Sequence, residues 1–402
     1  MTDDPSEADP RDPAFFHDPF ATYRTMHASP PTFRWEAYGH LCFAAHADVA
    51  SLLRDRRFGR QTWRDHPPSA RDGLEHFDAV ERHSMLELEP PRHTGLRRAV
   101  NRSFVSRHIE PLGTFVARRA NALVEAMPRG EPFDLLRAYA TPIPVETIAT
   151  LLGVPLEHTD RLLEWSHAMV AIYAFRNDEQ VRAKADAAAR QFSNFVRERL
   201  LEAKSGKEGT LLERLATDPE LSTDEAISTT ILLLNAGHEA TVHQIGNAVR
   251  LLIERRDAGF DLHAWLADER VDGLVEECLR YAPPLHLFTR TAYGNLDWTD
   301  ADGAVHHVAD GETVGLLLGA ANRDPRRFTE PDRFDPGRGR IDHVSFGGGI
   351  HFCVGAPLAR MELRIALQTL FRRHPNLRLT AEPVVADTFH FHGLERLTVI
   401  AD

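Results

Sequence analysis

Apolar residues Leu363, Ala366, Leu367, Leu370 and Phe371 recur three and four positions apart, the spacing that lines one face of a helix. They predict a helix that follows Cys353, admits Pro357 in its first turn and stops near His374-Pro375. A longer segment starts at Ser222, where Ser-Thr-Asp-Glu forms a capping box with Glu225. Nothing interrupts it before about Arg256. Some 30 residues at 1.5 Å each make a rod of roughly 50 Å, the length of a central core helix. Short extended pieces over Thr32 to Trp35 and Leu41 to Phe43 precede a helix-rich stretch from about Pro91 to Tyr281. Beyond Pro283 the pattern turns to extended segments, turns and one last helix, with Pro, Gly and Asp clustered between Asp297 and Gly349. The pattern predicts a mainly α fold with a minor β region.

No internal repeat is visible, and low complexity is confined to the first 13 residues and a polar hinge from Lys204 to Gly209. No apolar run in the sequence comes near the ~20 residues that span a bilayer. The opening MTDDPSEADPRDP is acidic and Pro-rich, unlike a signal peptide, so a cytoplasmic location is expected.

A length of 402 residues suits two or three compact units or one large one. With 43% hydrophobic and 26% charged residues, the chain is an ordinary globular protein. Its net charge of −12 would repel a phosphate backbone, which argues against nucleic acid as a partner. Lys184, Lys204 and Lys207 are the only lysines, a skew toward Arg that reads as GC-rich coding. Cys42, Cys278 and Cys353 lie far apart with no Cys-x-x-Cys pair, so no disulfide framework or structural zinc site is indicated.

The chemistry concentrates around Cys353. In Phe346-Gly-Gly-Gly-Ile-His-Phe-Cys353-Val-Gly355, a glycine turn, a ring, a cation-capable His and a thiol precede a helix N-terminus. That end favours an anion and stabilises a thiolate. Such a loop can offer a soft anionic ligand to a metal, and haem iron takes one axial thiolate. A buried structural cysteine, or a zinc pair of His351 with Cys353, are the alternatives on these residues alone.

This segment resembles the haem-binding loop of the cytochrome P450 family, in which Phe346, Gly349, His351, Cys353 and Gly355 match. Glu277-Cys-Leu-Arg280 resembles the family's Glu-x-x-Arg, and Pro331-Asp-Arg333-Phe334 resembles the later segment supplying a third partner. The resemblance spans about residues 15–400. It implies a single cytochrome P450 domain over 15–402 after a flexible segment 1–14, with the long helix over haem b and Cys353 as axial ligand. His93, Arg97, Arg290 and His351 are then the propionate donors.

Asn235-Ala236-Gly237-His238-Glu239-Ala240-Thr241 is similar to the family's oxygen-binding helix, with Ala236 and Gly237 leaving room beside the iron. The family pattern continues acid then Thr. Here Ala240 follows Glu239, and Thr241 comes one place later. One residue turns a side chain by about 100° around a helix, so Thr241 cannot serve in place. Glu239 through water, or a substrate hydroxyl or amine, must complete proton delivery. A tight dependence on substrate fit follows.

The implied activity is monooxygenation, hydroxylating or epoxidising a small organic molecule, in secondary metabolism. Oxidative coupling without oxygen insertion is a second reading, and a low-turnover haem-binding or sensing protein is a third. The resemblance implies substrate contacts from His83, Met85, Leu86, Leu232, Asn235, Leu285, His286, Leu287, Phe288, Phe389, His390 and Phe391. Electrons must come from outside the chain, since nothing in it resembles a flavin or iron–sulfur domain. Seven Arg and one acid, Glu110, lie between Arg92 and Arg119, which suits docking of an acidic ferredoxin served by its reductase.

Overall fold

A computed structural model describes residues 4–63, 67–102, 104, 106–174, 178–204 and 209–402. Most of the polar hinge expected over 204–209, and the first three residues of the N-terminal segment, lie outside the described residues. The chain divides into two compact units, each assembled from separated segments. One comprises Met1–Gly59, Ala117–Ala140 and Ala240–Asp402; the other comprises Arg60–Val116 and Thr141–Glu239.

The first unit holds every strand found among the described residues. Its main sheet has the order Thr32–Trp35, His40–Phe43, Thr313–Leu317, Leu287–Ala292, Phe58–Gly59. Only the pairing of His40–Phe43 with Thr313–Leu317 is parallel. Successive side chains of a strand point to opposite faces, and here each face has its own core. Leu41, Phe43 and Leu316 join Val49 and Leu52 on one side. Cys42 and Leu317 join Tyr23, Trp35 and Phe389 on the other. The N-terminal segment includes a turn at Pro5–Glu7 and a short helix at Pro13–Phe16, and Trp35 Nε1 donates to the Ala8 carbonyl at 2.6 Å. Pro132–Asp134, Thr398–Ile400 and Arg378–Leu379 make a smaller three-stranded sheet.

The regular elements of the second unit are all helical among its described residues, joined by turns and loops. Helices Thr159–Val170 and Glu179–Ala203 pack through Trp165, whose ring lies 5.1 Å from Phe192 and 5.6 Å from Phe195 between centroids.

The long helix spans Thr223–Asp257, 35 residues, and the capping box predicted at its start is present. Glu225 N donates to Ser222 Oγ at 3.2 Å, and Ser222 N donates to Glu225 Oε2 at 2.9 Å. Two reciprocal bonds satisfy amides that the first turn leaves unpaired. The last helix, Ala356–Arg373, has Pro357 in its first turn as predicted.

Candidate functional site

Cys353 sits in the turn before helix Ala356–Arg373, whose first bond runs from Ala359 N to the Gly355 carbonyl at 2.8 Å. The Cys353 amide donates back to the Phe346 carbonyl at 3.0 Å, closing the loop. Cys353 is partly accessible, whereas Cys42 and Cys278 are fully buried. Burial pushes the Cys42 thiol up to about 12 and raises that of Cys278 further. An accessible sulfur at a helix N-terminus is suited to act as an anionic ligand. Gly349 has φ +67°, and a side chain there would collide with the Leu53 carbonyl. Its missing side chain admits the neighbouring backbone.

Behind the loop, Glu277 and Arg280 are completely buried one turn apart on helix Val271–Tyr281. Arg280 uses all five N–H donors: two on Glu277 at 2.7 and 2.8 Å, and three on the carbonyls of Asn322, Pro331 and Arg333 at 2.8, 2.9 and 3.3 Å. The third charged partner is not Arg333. Its side chain pairs with Glu330 in solvent, both more than half exposed, and only its carbonyl reaches the cluster. Arg338 takes the place, with Nε 3.3 Å from Glu277 Oε1 and Nη2 donating to the Arg333 carbonyl at 2.7 Å. The cluster continues to the loop: Asn322 Nδ2 donates to Ser345 Oγ, which donates to the Leu279 carbonyl, both at 2.8 Å. Ser345 adjoins Phe346. A second clamp has no counterpart among the motifs of the sequence. Arg360 grips Glu276 with bonds of 2.6 and 2.9 Å and lies 4.5 Å over the Phe346 ring. Although burial opposes ionisation, Arg360 and His343 hold the Glu276 carboxyl down at about 2.

On the long helix, Ala236 is exposed and Leu232, Ala240 and His243 are partly so, while Ile231, Leu233 and Leu234 are buried. Asn235, Gly237 and Val242 are partly accessible too, but Leu232, Ala236, Ala240 and His243 fall three to four apart and share one stripe of the helix. Thr241 is buried, off that stripe. Gly237 packs closely against Ile148. A side chain there would lie 2.9 Å from Ile148. Glu239 is buried and its Oε1 is 3.4 Å from His167 Nε2 and 3.6 Å from His238 Nε2. Asn235 is partly buried, with Nδ2 3.9 Å from Met169 Sδ.

His93 and Arg290 are nearly fully buried, at 3% and 4% exposure. Arg97 and His351 are partly buried. Arg290 Nη1 donates to the Thr289 carbonyl at 2.8 Å, and Arg97 Nε to Asn101 Oδ1 at 3.1 Å. Within the first unit, a thiol at a helix N-terminus, buried Arg290 and partly buried His351 are donors of the kinds that haem iron and haem carboxylates take, so these residues fit that group.

Of the expected substrate contacts, Leu232, Asn235, Leu285, Phe288, His390, Phe391 and His83 are partly accessible and Leu86 is exposed. Met85 is buried. His286, Leu287 and Phe389 are core residues instead. His286 is fully buried, its Nδ1 is 2.6 Å from the Tyr23 hydroxyl, and Leu287 and Phe389 pack with Tyr23 and Trp35. Arg92 Nη2 donates to His83 Nδ1 at 2.9 Å. Burial, and then that guanidinium, keep the imidazole below its ordinary pKa.

The segment ahead of His83 carries a partly buried acid. Glu81, at the end of helix Glu75–Glu81, accepts from the Tyr173 hydroxyl at 2.9 Å. Burial and then repulsion from Glu87 push its pKa up to about 7, against the pull of Tyr173, Arg60 and Arg71. A raised carboxyl means the folded state holds a proton that the unfolded chain has released. Stability therefore falls as pH climbs from the ordinary carboxyl range through about 7, and is level above it. Glu81→Gln should remove that fall, worth on the order of 1–2 kcal/mol. Denaturant midpoints at pH 5 and pH 8 check it, and an unaltered difference between them would count against the assignment.

The basic stretch is partly neutralised. Arg92 pairs with Glu225 and Arg98 with Glu220, both at 3.0 Å, and Arg102 with Asp218 at 3.3 Å. No helix among the described residues is long and apolar enough to cross a membrane.

A family profile described as Cytochrome P450 matches residues 270–383, the span holding the Glu277 cluster and Cys353. Cytochrome P450 monooxygenase PikC of Streptomyces venezuelae is 36% identical over 388 residues, covering 92% of this chain and 87% of that protein. Mycinamicin IV hydroxylase/epoxidase of Micromonospora griseorubida is 34% identical and covers 83% of this chain and 81% of its own. A crystal structure of P450BioI, in complex with a hexadecenoic acid-ligated acyl carrier protein, superposes with a TM-score of 0.89. It shares 31% identity and covers 97% of this chain and 100% of that one.

Proposed function

The chain belongs to the cytochrome P450 family and is a haem-thiolate monooxygenase, and from that premise we propose that it hydroxylates or epoxidises a medium-sized organic molecule of secondary metabolism whose own polar group helps deliver protons. The haem, when bound, supplies reductive activation of dioxygen with two electrons and transfer of one oxygen atom to the substrate. Cys353 would supply the thiolate to its iron, and His93, Arg97, Arg290 and His351 would donate to its propionates. The Glu277–Arg280–Arg338 cluster and the Glu276–Arg360 clamp hold the loop that presents the sulfur.

The observation that carries the proposal is the position of the alcohol. Ala240 occupies the accessible stripe with Ala236, and Thr241 is buried off it. No side-chain hydroxyl of residues 232–243 lies on the stripe. Glu239 is proposed to hold and release protons through water, with a substrate hydroxyl or amine ordering that water. Partly accessible Leu232, Asn235, Leu285, Phe288 and Phe391 suit an apolar body with some polar character. Ala240→Thr should raise product formed per reductant consumed severalfold with poorly fitting substrates and little with good ones. Equal coupling of the parent enzyme across good and poor substrates would refute the proposal.

The same missing hydroxyl favours a second reading, oxidative coupling, and product mass separates the two because coupling adds no oxygen. The redox partner is proposed to be a ferredoxin with its reductase. Since Arg92, Arg98 and Arg102 already face carboxylates, attraction should depend on fewer cations than the sequence count suggests, yet still weaken with salt.

A further inference from the structure

We propose that His167, His238 and Glu239 form a binding site for a zinc-class divalent cation. His167 projects from helix Thr159–Val170, and His238 and Glu239 are neighbours on the long helix. One ligand atom from each lies within 4.8 Å of the other two. Glu239 Oε1 is 3.4 Å from His167 Nε2 and 3.6 Å from His238 Nε2. Two ligands held at about 2.1 Å by a tetrahedral zinc ion stand roughly 3.4 Å apart, so little movement would close the site.

The independent sign is the hydrogen bonding of His238. Its Nδ1 lies 2.5 Å from the Leu234 carbonyl, an acceptor that requires the ring proton on Nδ1. The lone pair of the neutral ring is then on Nε2, which is buried, has no hydrogen-bond partner and faces the carboxylate oxygen. An imidazole lone pair and a carboxylate oxygen repel unless a proton or a cation lies between them. Donation of the second ring N–H to a backbone carbonyl is also how protein zinc ligands are usually oriented. His167 is 62% exposed and gives solvent a route to the three donors. Two imidazoles and one carboxylate suit zinc, whereas calcium and magnesium require mostly oxygen.

Where Glu239 is the proton relay, bound zinc would occupy its carboxylate and slow turnover. That consequence rests on the proposed function, but the binding itself does not. The test is calorimetric titration of the haem-loaded protein with zinc chloride in a buffer that does not bind metals. One tight site is expected, weakened at least about tenfold in His167→Ala and retained in His167→Cys, which keeps a zinc ligand. His167 is exposed, so neither substitution threatens folding. Weak surface sites would persist in all three proteins. Equal tight binding by the parent and His167→Ala, or no tight site in the parent, would overturn the proposal.

Discussion

Cys353→Ser is expected to abolish the haem-thiolate signature in the reduced carbon monoxide difference spectrum and to eliminate monooxygenase turnover. Serine is close to isosteric, and the Cys353 backbone bond to Phe346 does not depend on the side chain, so the loop should keep its shape. What disappears is an anionic sulfur that donates electron density to iron and favours O–O cleavage. The neighbouring helix end cannot compensate, because its partial positive charge stabilises a thiolate but falls far short of ionising an alcohol at neutral pH. Haem content should therefore fall less than activity, since Arg290, His93 and their companions remain. Cys42 and Cys278 provide the internal control. Both are fully buried with raised thiol pKa values, and serine at either position should leave the spectrum as it was. A Cys353→Ser protein that retained the thiolate signature would require another axial ligand and remove the basis of the assignment.

Local chemistry is readable where it depends on residues close in the chain. The capping box at Ser222 needs only Glu225, and the start of the last helix needs only the Cys353 loop and Pro357, so both appear where predicted. Properties set by partners distant in the chain are not. The third charge on Glu277 comes from Arg338 rather than Arg333, because the turns after Pro331 direct Arg333 to solvent and bring Arg338 back. Gly237 faces Ile148 from another helix, and no local pattern distinguishes that from space left for a ligand. His286, Leu287 and Phe389 read as pocket residues because they are aromatic and apolar near a resembling segment, yet their surroundings come from Tyr23 and Trp35. His167 carries no motif relation to Glu239 at all. A sequence scan limited to helical spacing would miss it, and only a joint search for His pairs facing the acid could have found it.

Arg280→Leu should cost about 3–5 kcal/mol of stability, the range for removing one member of a buried ion pair. The loss arises because Glu277 would keep its negative charge at zero exposure with only Arg338 at 3.3 Å and the Asp335 amide at 2.8 Å. The Asn322 and Pro331 carbonyls would also lose the Arg280 donors, and the Arg333 carbonyl would keep only Arg338, which leaves acceptors with less than their full complement. Arg280→Lys should be nearly as damaging, since an ammonium offers three donors from one point where five are required across a fork. The double substitution Glu277→Gln with Arg280→Leu should be less destabilising than the two single losses added together, since it removes both charges at once. Through Asn322 and Ser345 the damage would reach the Cys353 loop, so haem retention should decline at denaturant concentrations where the parent protein still holds it. Denaturant midpoints and haem content of the four proteins measure both effects. If Arg280→Leu left the midpoint unchanged, the cluster would not be what holds that loop, and the Glu276–Arg360 clamp would have to do so alone.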